Sequence, residues 1–215
     1  MELLSTFIDI VLHLDRHLVA LVQEYGVWVY AILFAIIFSE TGFVVTPFLP
    51  GDSLLFVAGA VAASGAMDVN LLAFLLVVAA IAGNMVNYAI GRWLGKRYFT
   101  DQGNRWLNPK HLEKAHAFYE EHGGKAVVIS RFLPIVRTYI PFVAGLGAME
   151  PGRYTLFNVA GAVLWVGSLT YLGFFFGNIP WIKGNLTLII IGIIVVSLLP
   201  LVWAFVRSKL AARHA

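Results

Sequence analysis

Glu40, Asp52, Arg131 and Arg137 are the residues of this chain best placed to do chemistry, because each stands in an otherwise almost uncharged stretch. An ionised side chain at hydrocarbon depth costs about 2.5–3.5 kcal/mol on insertion scales, so such residues mark a pathway or a site. Arginine presents a planar fork of donors that matches the oxygens of a phosphate group. A carboxylate released by an arginine in a poorly hydrated site can take up a proton, which offers a route to proton coupling. The structural alternative is a static ion-pair network that ties two interrupted segments together. Both readings can hold, since an empty site must satisfy its arginines internally.

The elements that must position these residues are marked by a repeated text. Phe48-Leu49-Pro50-Gly51-Asp52 leads to Phe56-Val57-Ala58-Gly59, with Glu40 upstream. Arg131-Phe132-Leu133-Pro134-Ile135-Val136-Arg137 leads to Phe142-Val143-Ala144-Gly145. The two phenylalanines are eight residues apart in the first copy and ten in the second. Pro50, Gly51, Pro134 and Pro141 are expected to form hairpin turns, with kinked helices as the alternative. Glycines 59, 65, 145 and 147 are read as close-packing positions. Paired, interrupted apolar segments in the two halves of a chain point to a transporter's binding site.

Composition sets the class. Apolar residues make up 60% of the 215, charged residues 13%, and mean hydropathy is +0.81. That balance excludes a water-soluble domain and indicates one polytopic membrane domain. Met1-Glu2-Leu3-Leu4 has no positive region ahead of its apolar residues, so no removable signal peptide is expected. The absence of cysteine excludes disulfides, thiolate metal sites and thiol catalysis. A net charge of +3 concentrated in a few loops reads as an orientation signal and headgroup contact, not nucleic-acid binding.

Residues 1–24 carry the stripe Leu4, Phe7, Val11, Leu14, Leu18 and Leu21, and are expected to form an interfacial helix. Spans are expected near 26–39, 70–90, 154–177 and 186–206, within a membrane domain of residues 25–206. The arms of the interrupted segments, 43–66 and 126–149, fall well short of the roughly 20 residues a crossing needs. Seven Lys/Arg in 91–125 and three in the tail 207–215 place both on the cytoplasmic side. Asn108-Pro109 and Gly123 bracket a short surface helix over 109–122. Walking back from the tail, residues 150–153 also fall on the cytoplasmic side, so 126–149 enters and leaves there. The same walk puts Asp68 outside and makes 43–66 a hairpin from the opposite face. The expected fold is all-α and integral to the membrane. It is an inverted repeat of two re-entrant helical hairpins packed among about four transmembrane helices, with both termini cytoplasmic.

Asn84, Asn87 and Tyr88 on one span, and Asn158 and Trp165 on another, are candidate cavity-lining residues, with interhelical hydrogen bonding as the alternative. His13 and His17 alone have ligand-like spacing, and no metal centre or other cofactor is expected. Lys125 and Arg131-Phe132 do not make the Lys-x6-Arg-Pro motif of lipid phosphatases. Ser64-Gly65 lacks a nucleophile-elbow context, and there is no P-loop. No enzymatic activity is expected.

At these residues the chain closely resembles the DedA family of bacterial inner-membrane proteins. The resemblance covers nearly the whole chain and rests on Glu40, Pro50-Gly51-Asp52, Arg131, Pro134, Arg137, Ala144-Gly145 and Met149. Phe157-Asn158, Gly161 and Trp165 extend it downstream. The resemblance implies envelope maintenance, dependence on the proton motive force, and lipid translocation, with recycling of undecaprenyl phosphate or phospholipid scrambling as the family precedents. It also implies that the matching acid and arginine positions are needed for activity. Many members carry an acid where this chain has Asn84, which bears on ion coupling here.

The resulting expectation is a lipid-phosphate translocase. Arg131 and Arg137 would hold an anionic headgroup or polyprenyl phosphate, Glu40 and Asp52 would exchange protons, and the tail would stay among membrane lipids. A proton-coupled exporter of small cationic solutes and a non-transporting membrane scaffold are the alternatives. Homo-oligomerisation is left open.

Overall fold

The computed structural model describes residues 13–43, 51–98, 124–193, 195 and 196, and every regular element among them is helical. In chain order these are α1 (Leu14–Tyr25), α2 (Trp28–Gly42), α3 (Gly51–Ala62), α4 (Val69–Tyr98), α5 (Lys125–Ser130), α6 (Pro134–Leu146), α7 (Pro151–Phe176) and α8 (Pro180–Gly184), followed by helical residues 186–193.

Two helices among the described residues are long and apolar enough to cross a membrane: α4 over Val69–Gly95 and α7 over Pro151–Phe176. At 27 and 26 residues they reach roughly 40 Å, more than the ~30 Å hydrocarbon layer. Local chemistry starts α4 where it does. The Asp68 carboxylate accepts a 2.8 Å bond from the Leu71 amide, while the Asp68 amide donates to the Tyr30 hydroxyl at 2.8 Å. Proline opens both α6 and α7, at the position where a missing amide costs nothing. By contrast α2, α3 and α6 have 15, 12 and 13 residues, too few to cross.

Two expectations need correction. The polar stretch from Gly91 does not leave the helix, because α4 continues to Tyr98. Arg92, Lys96 and Arg97 belong to residue types that favour helix, so the charged sequence there does not end it. Pro141 is not a turn residue: it lies inside α6, and only Pro134 starts that helix. Pro141 removes the amide that would bond the Arg137 carbonyl, and helices packed within membrane proteins absorb that loss. The expected surface helix 109–122, the Phe48-Leu49-Pro50 text, residues 1–12 and all of 197–215 lie outside the described residues.

The chain divides into two compact units. The first comprises the described residues of Met1–Ile32, Pro50–Phe74 and Gly167–Ala215, the second those of Leu33–Leu49 and Leu75–Val166. In the first, α1 turns the buried Leu14 and Leu18 inward and packs on α3, whose twelve residues are all buried. In the second, Tyr88, Val127, Ile140, Ala144, Met149 and Tyr154 form a core cluster.

The repeated Phe-Val-Ala-Gly text has a counterpart in packing. Within the first unit, a Cβ on Gly59 would overlap the Thr170 carbonyl, and one on Gly173 would overlap the Phe56 carbonyl. Within the second, a Cβ on Gly145 would overlap the Tyr88 carbonyl, and one on Gly91 the Phe142 carbonyl. Each unit therefore presses a short helix backbone-to-backbone on a long one, which only small residues permit.

Candidate functional site

The second unit gathers most of the sequence-predicted site on four elements. Glu40 comes from the last turn of α2, Asn84 and Asn87 from α4, Arg137 from the first turn of α6, and Asn158 and Trp165 from α7. Arg131 is the C-cap residue of α5 and opens the turn that leads to α6. The spacing of these residues explains their convergence. Asn84, Asn87, Tyr88 and Gly91 recur at helical intervals on the buried face of α4, as Tyr154, Asn158, Gly161 and Trp165 do on α7. The asparagines, tyrosines and tryptophan among them carry polar atoms into a core, where such atoms call for partners.

Glu40 and Arg137 form an ion pair, with both side chains buried. Arg131 is handled differently. Its Nη2 donates to Asn158 Oδ1 at 2.6 Å and to the Ala80 carbonyl at 3.3 Å. Asn158 Nδ2 donates in turn to the Ile81 carbonyl at 3.1 Å, which turns its oxygen towards the guanidinium. Asn84 could face either way. With its nitrogen towards Asn158 Oδ1 it would make one 3.2 Å bond but set that nitrogen against Arg131. The opposite orientation lets its oxygen accept from Arg131 Nη2 at 2.9 Å and its nitrogen donate to the Thr41 carbonyl at 3.2 Å; the Asn84 and Asn158 oxygens, 3.2 Å apart, then share the Arg131 donor. The Tyr154 hydroxyl donates to the Asn84 carbonyl at 3.1 Å.

Trp165 is fully buried and lies against both guanidinium groups, 4.8 Å from Arg137 Cζ and 5.9 Å from Arg131 Cζ to the ring centroid. Such stacking is worth about 2 kcal/mol when desolvated. Gly161 leaves room for the Arg131 stem, since a Cβ there would come within 2.9 Å of Arg131 Cδ. Asn87 joins the elements that carry the pair, donating to the Thr41 carbonyl at 3.3 Å and the Thr138 carbonyl at 2.8 Å.

Other candidates lie elsewhere. Tyr88 stacks on Tyr154 at 4.2 Å and donates to the Met149 carbonyl. Arg92 Nη1 reinforces that contact, at 2.7 Å from the Tyr88 hydroxyl and 3.2 Å from the same carbonyl. These bonds pin the α6–α7 turn, where Ala148 adopts a φ of 56°. Asp52 is buried in the first turn of α3, in the first unit, with Gly51 opening that helix. Pro50 lies outside the described residues. Pro134 opens α6 and Pro141 lies within it. Among the described residues no group of three or more His, Asp or Glu side chains could hold a metal ion. Thr41, Tyr154 and Gly161 also belong to the site; in the sequence Tyr154 and Gly161 share the face of Asn158 and Trp165.

Comparison with known proteins identifies the family. The VTT domain model matches residues 49–175. Protein DedA of Escherichia coli (strain K12) is 54% identical over 217 residues, covering 100% of this chain and 99% of that protein. An uncharacterised membrane protein of Mycobacterium leprae (strain TN) is 41% identical, covering 81% of this chain and 79% of its own. Inner membrane protein YqjA of Escherichia coli (strain K12) is 39% identical, covering 84% and 81%. No solved structure matches. Full-length similarity and the matching domain model together establish that the chain belongs to the DedA family of VTT-domain membrane proteins.

Proposed function

We propose that this protein is an inner-membrane translocase of lipid phosphates, such as undecaprenyl phosphate or phospholipids, linked to the proton motive force and serving envelope maintenance. The observation that carries the reading is the pair of buried guanidinium groups sharing the Trp165 ring, one of them held only by neutral amides. Cations at such depth persist where an anion is to be received. The arginines take the headgroup, and the hydrocarbon tail stays in the bilayer. Glu40, released from Arg137 when the headgroup arrives, and Asp52 exchange protons as access alternates.

The short helices α3 and α6 are, in this reading, inner arms of hairpins that enter from opposite faces. Their length, the prolines ahead of them and their matched glycine packing support that assignment. The membrane named for YqjA is carried over to this chain on their similarity. A cation exporter built on two acids is less well supported, because Glu40 already answers Arg137.

Purified protein in liposomes should move labelled polyprenyl phosphate or phospholipid between leaflets, and Arg137→Ala should stop it while the protein stays folded. Export of a cation driven by a pH gradient, without lipid movement, would replace this reading with the exporter.

A further inference from the structure

The two arginines carry unequal charge balance. Among the described residues of the second unit, the buried charged groups Glu40, Arg131 and Arg137 sum to one positive charge. Arg137 has the carboxylate of Glu40. Every acceptor that meets Arg131 Nη2 is neutral: the oxygens of Asn158 and Asn84 and the Ala80 carbonyl. Its Nε is buried without a hydrogen-bond partner. Amide orientation aims both oxygens at Arg131, because the nitrogens of Asn84 and Asn158 are spent on the Thr41 and Ile81 carbonyls.

We propose that Arg131 is the anion-receiving group, that the site selects an oxyanion bearing one negative charge, and that Asn84 and Asn158 determine this by holding Arg131 without neutralising it. The inference rests on the lipid-phosphate reading of the site. At first docking, while Glu40 still holds its charge against Arg137, a singly charged phosphodiester, or a singly protonated phosphomonoester, brings the charge of these buried groups to zero. A dianion leaves one negative charge uncompensated where water cannot screen it, and that is costly. An aspartate at either amide position would satisfy Arg131 from within and compete with the ligand, at almost unchanged volume.

Calorimetric titration of the full-length protein in neutral detergent tests this with three probes at pH 8. Dodecyl methyl phosphate is a monoanion, dodecyl phosphate is mostly dianionic above its second ionisation at about pH 6, and dimethyl phosphate lacks a tail. Wild type should bind dodecyl methyl phosphate at least tenfold tighter than dodecyl phosphate. Asn84→Asp and Asn158→Asp should each lose at least tenfold in affinity for it, while melting no lower than wild type. If either variant fails to fold, the other carries the test. Dimethyl phosphate binding as tightly as the tailed diester assigns the site to a soluble phosphodiester. Binding that requires the tail assigns it to a lipid headgroup; both uphold a single-charge site. Unchanged affinity in a folded aspartate variant, or tighter binding of the dianion, overturns the inference and leaves the lipid-phosphate reading standing. No binding of any probe by wild type removes that reading as well.

Discussion

Arg137 and Arg131 lean on one indole but depend on their surroundings differently, and substitutions should separate them. Glu40→Gln keeps the shape of the side chain and withdraws its charge from Arg137. Removing one member of a buried pair costs about 3–5 kcal/mol, so this variant should melt well below wild type. Arg131→Met removes a cation that, among the described residues, has no carboxylate at hydrogen-bond distance, and should cost markedly less stability while abolishing transport. Equal destabilisation by the two changes would contradict the unequal roles. Gly161→Ala presses on the Arg131 stem and should lower transport with the fold retained. The principal charges of this site were legible in the sequence, because Glu40, Arg131 and Arg137 are expensive where they stand. The neutral cradle was only half legible. Asn84 and Asn158 stood out as polar residues on apolar helices, but their shared partner depends on how α4 and α7 meet the 131–133 turn.

At the scale of elements, the matched glycine contacts are the structural content of the repeated text. Gly59→Ala and Gly145→Ala each set a methyl against a carbonyl of the facing long helix. Overpacking of that kind costs about 1–3 kcal/mol, so each should lower the thermal midpoint, and by comparable amounts if the two contacts are equivalent. Gly65→Ala, in a turn with no atom within 4 Å of the added methyl, should be penalised only through its φ of +85°. The Phe-Val-Ala-Gly repeat flagged one side of each contact. Its partners Gly91 and Gly173 escaped notice because glycine is common in membrane helices, and only tertiary packing shows which ones face a backbone. Pro141 misled for a related reason. Proline disfavours a helix locally, yet α6 continues through it once the surrounding helices hold both flanks.

For the whole molecule, composition sufficed for the class: two long apolar helices and all-helical described residues are what a mean hydropathy of +0.81 implies. Orientation rests on the Lys/Arg bias of 91–125 and the tail. It predicts that the turn before α4 faces outward and the turn before α7 faces the cytoplasm. Since the chain has no native cysteine, Ala66→Cys and Glu150→Cys report on exposed positions in those turns. A membrane-impermeant thiol reagent applied to intact cells should label the first and spare the second, and the reverse pattern would invert the topology. Lipid movement in reconstituted liposomes bears most directly on the central claim. Wild type should carry a labelled polyprenyl phosphate or phospholipid from one leaflet to the other, and a folded Arg131→Ala/Arg137→Ala double variant should move it no faster than protein-free vesicles. Normal lipid flux in that double variant would contradict the headgroup role of the buried arginines.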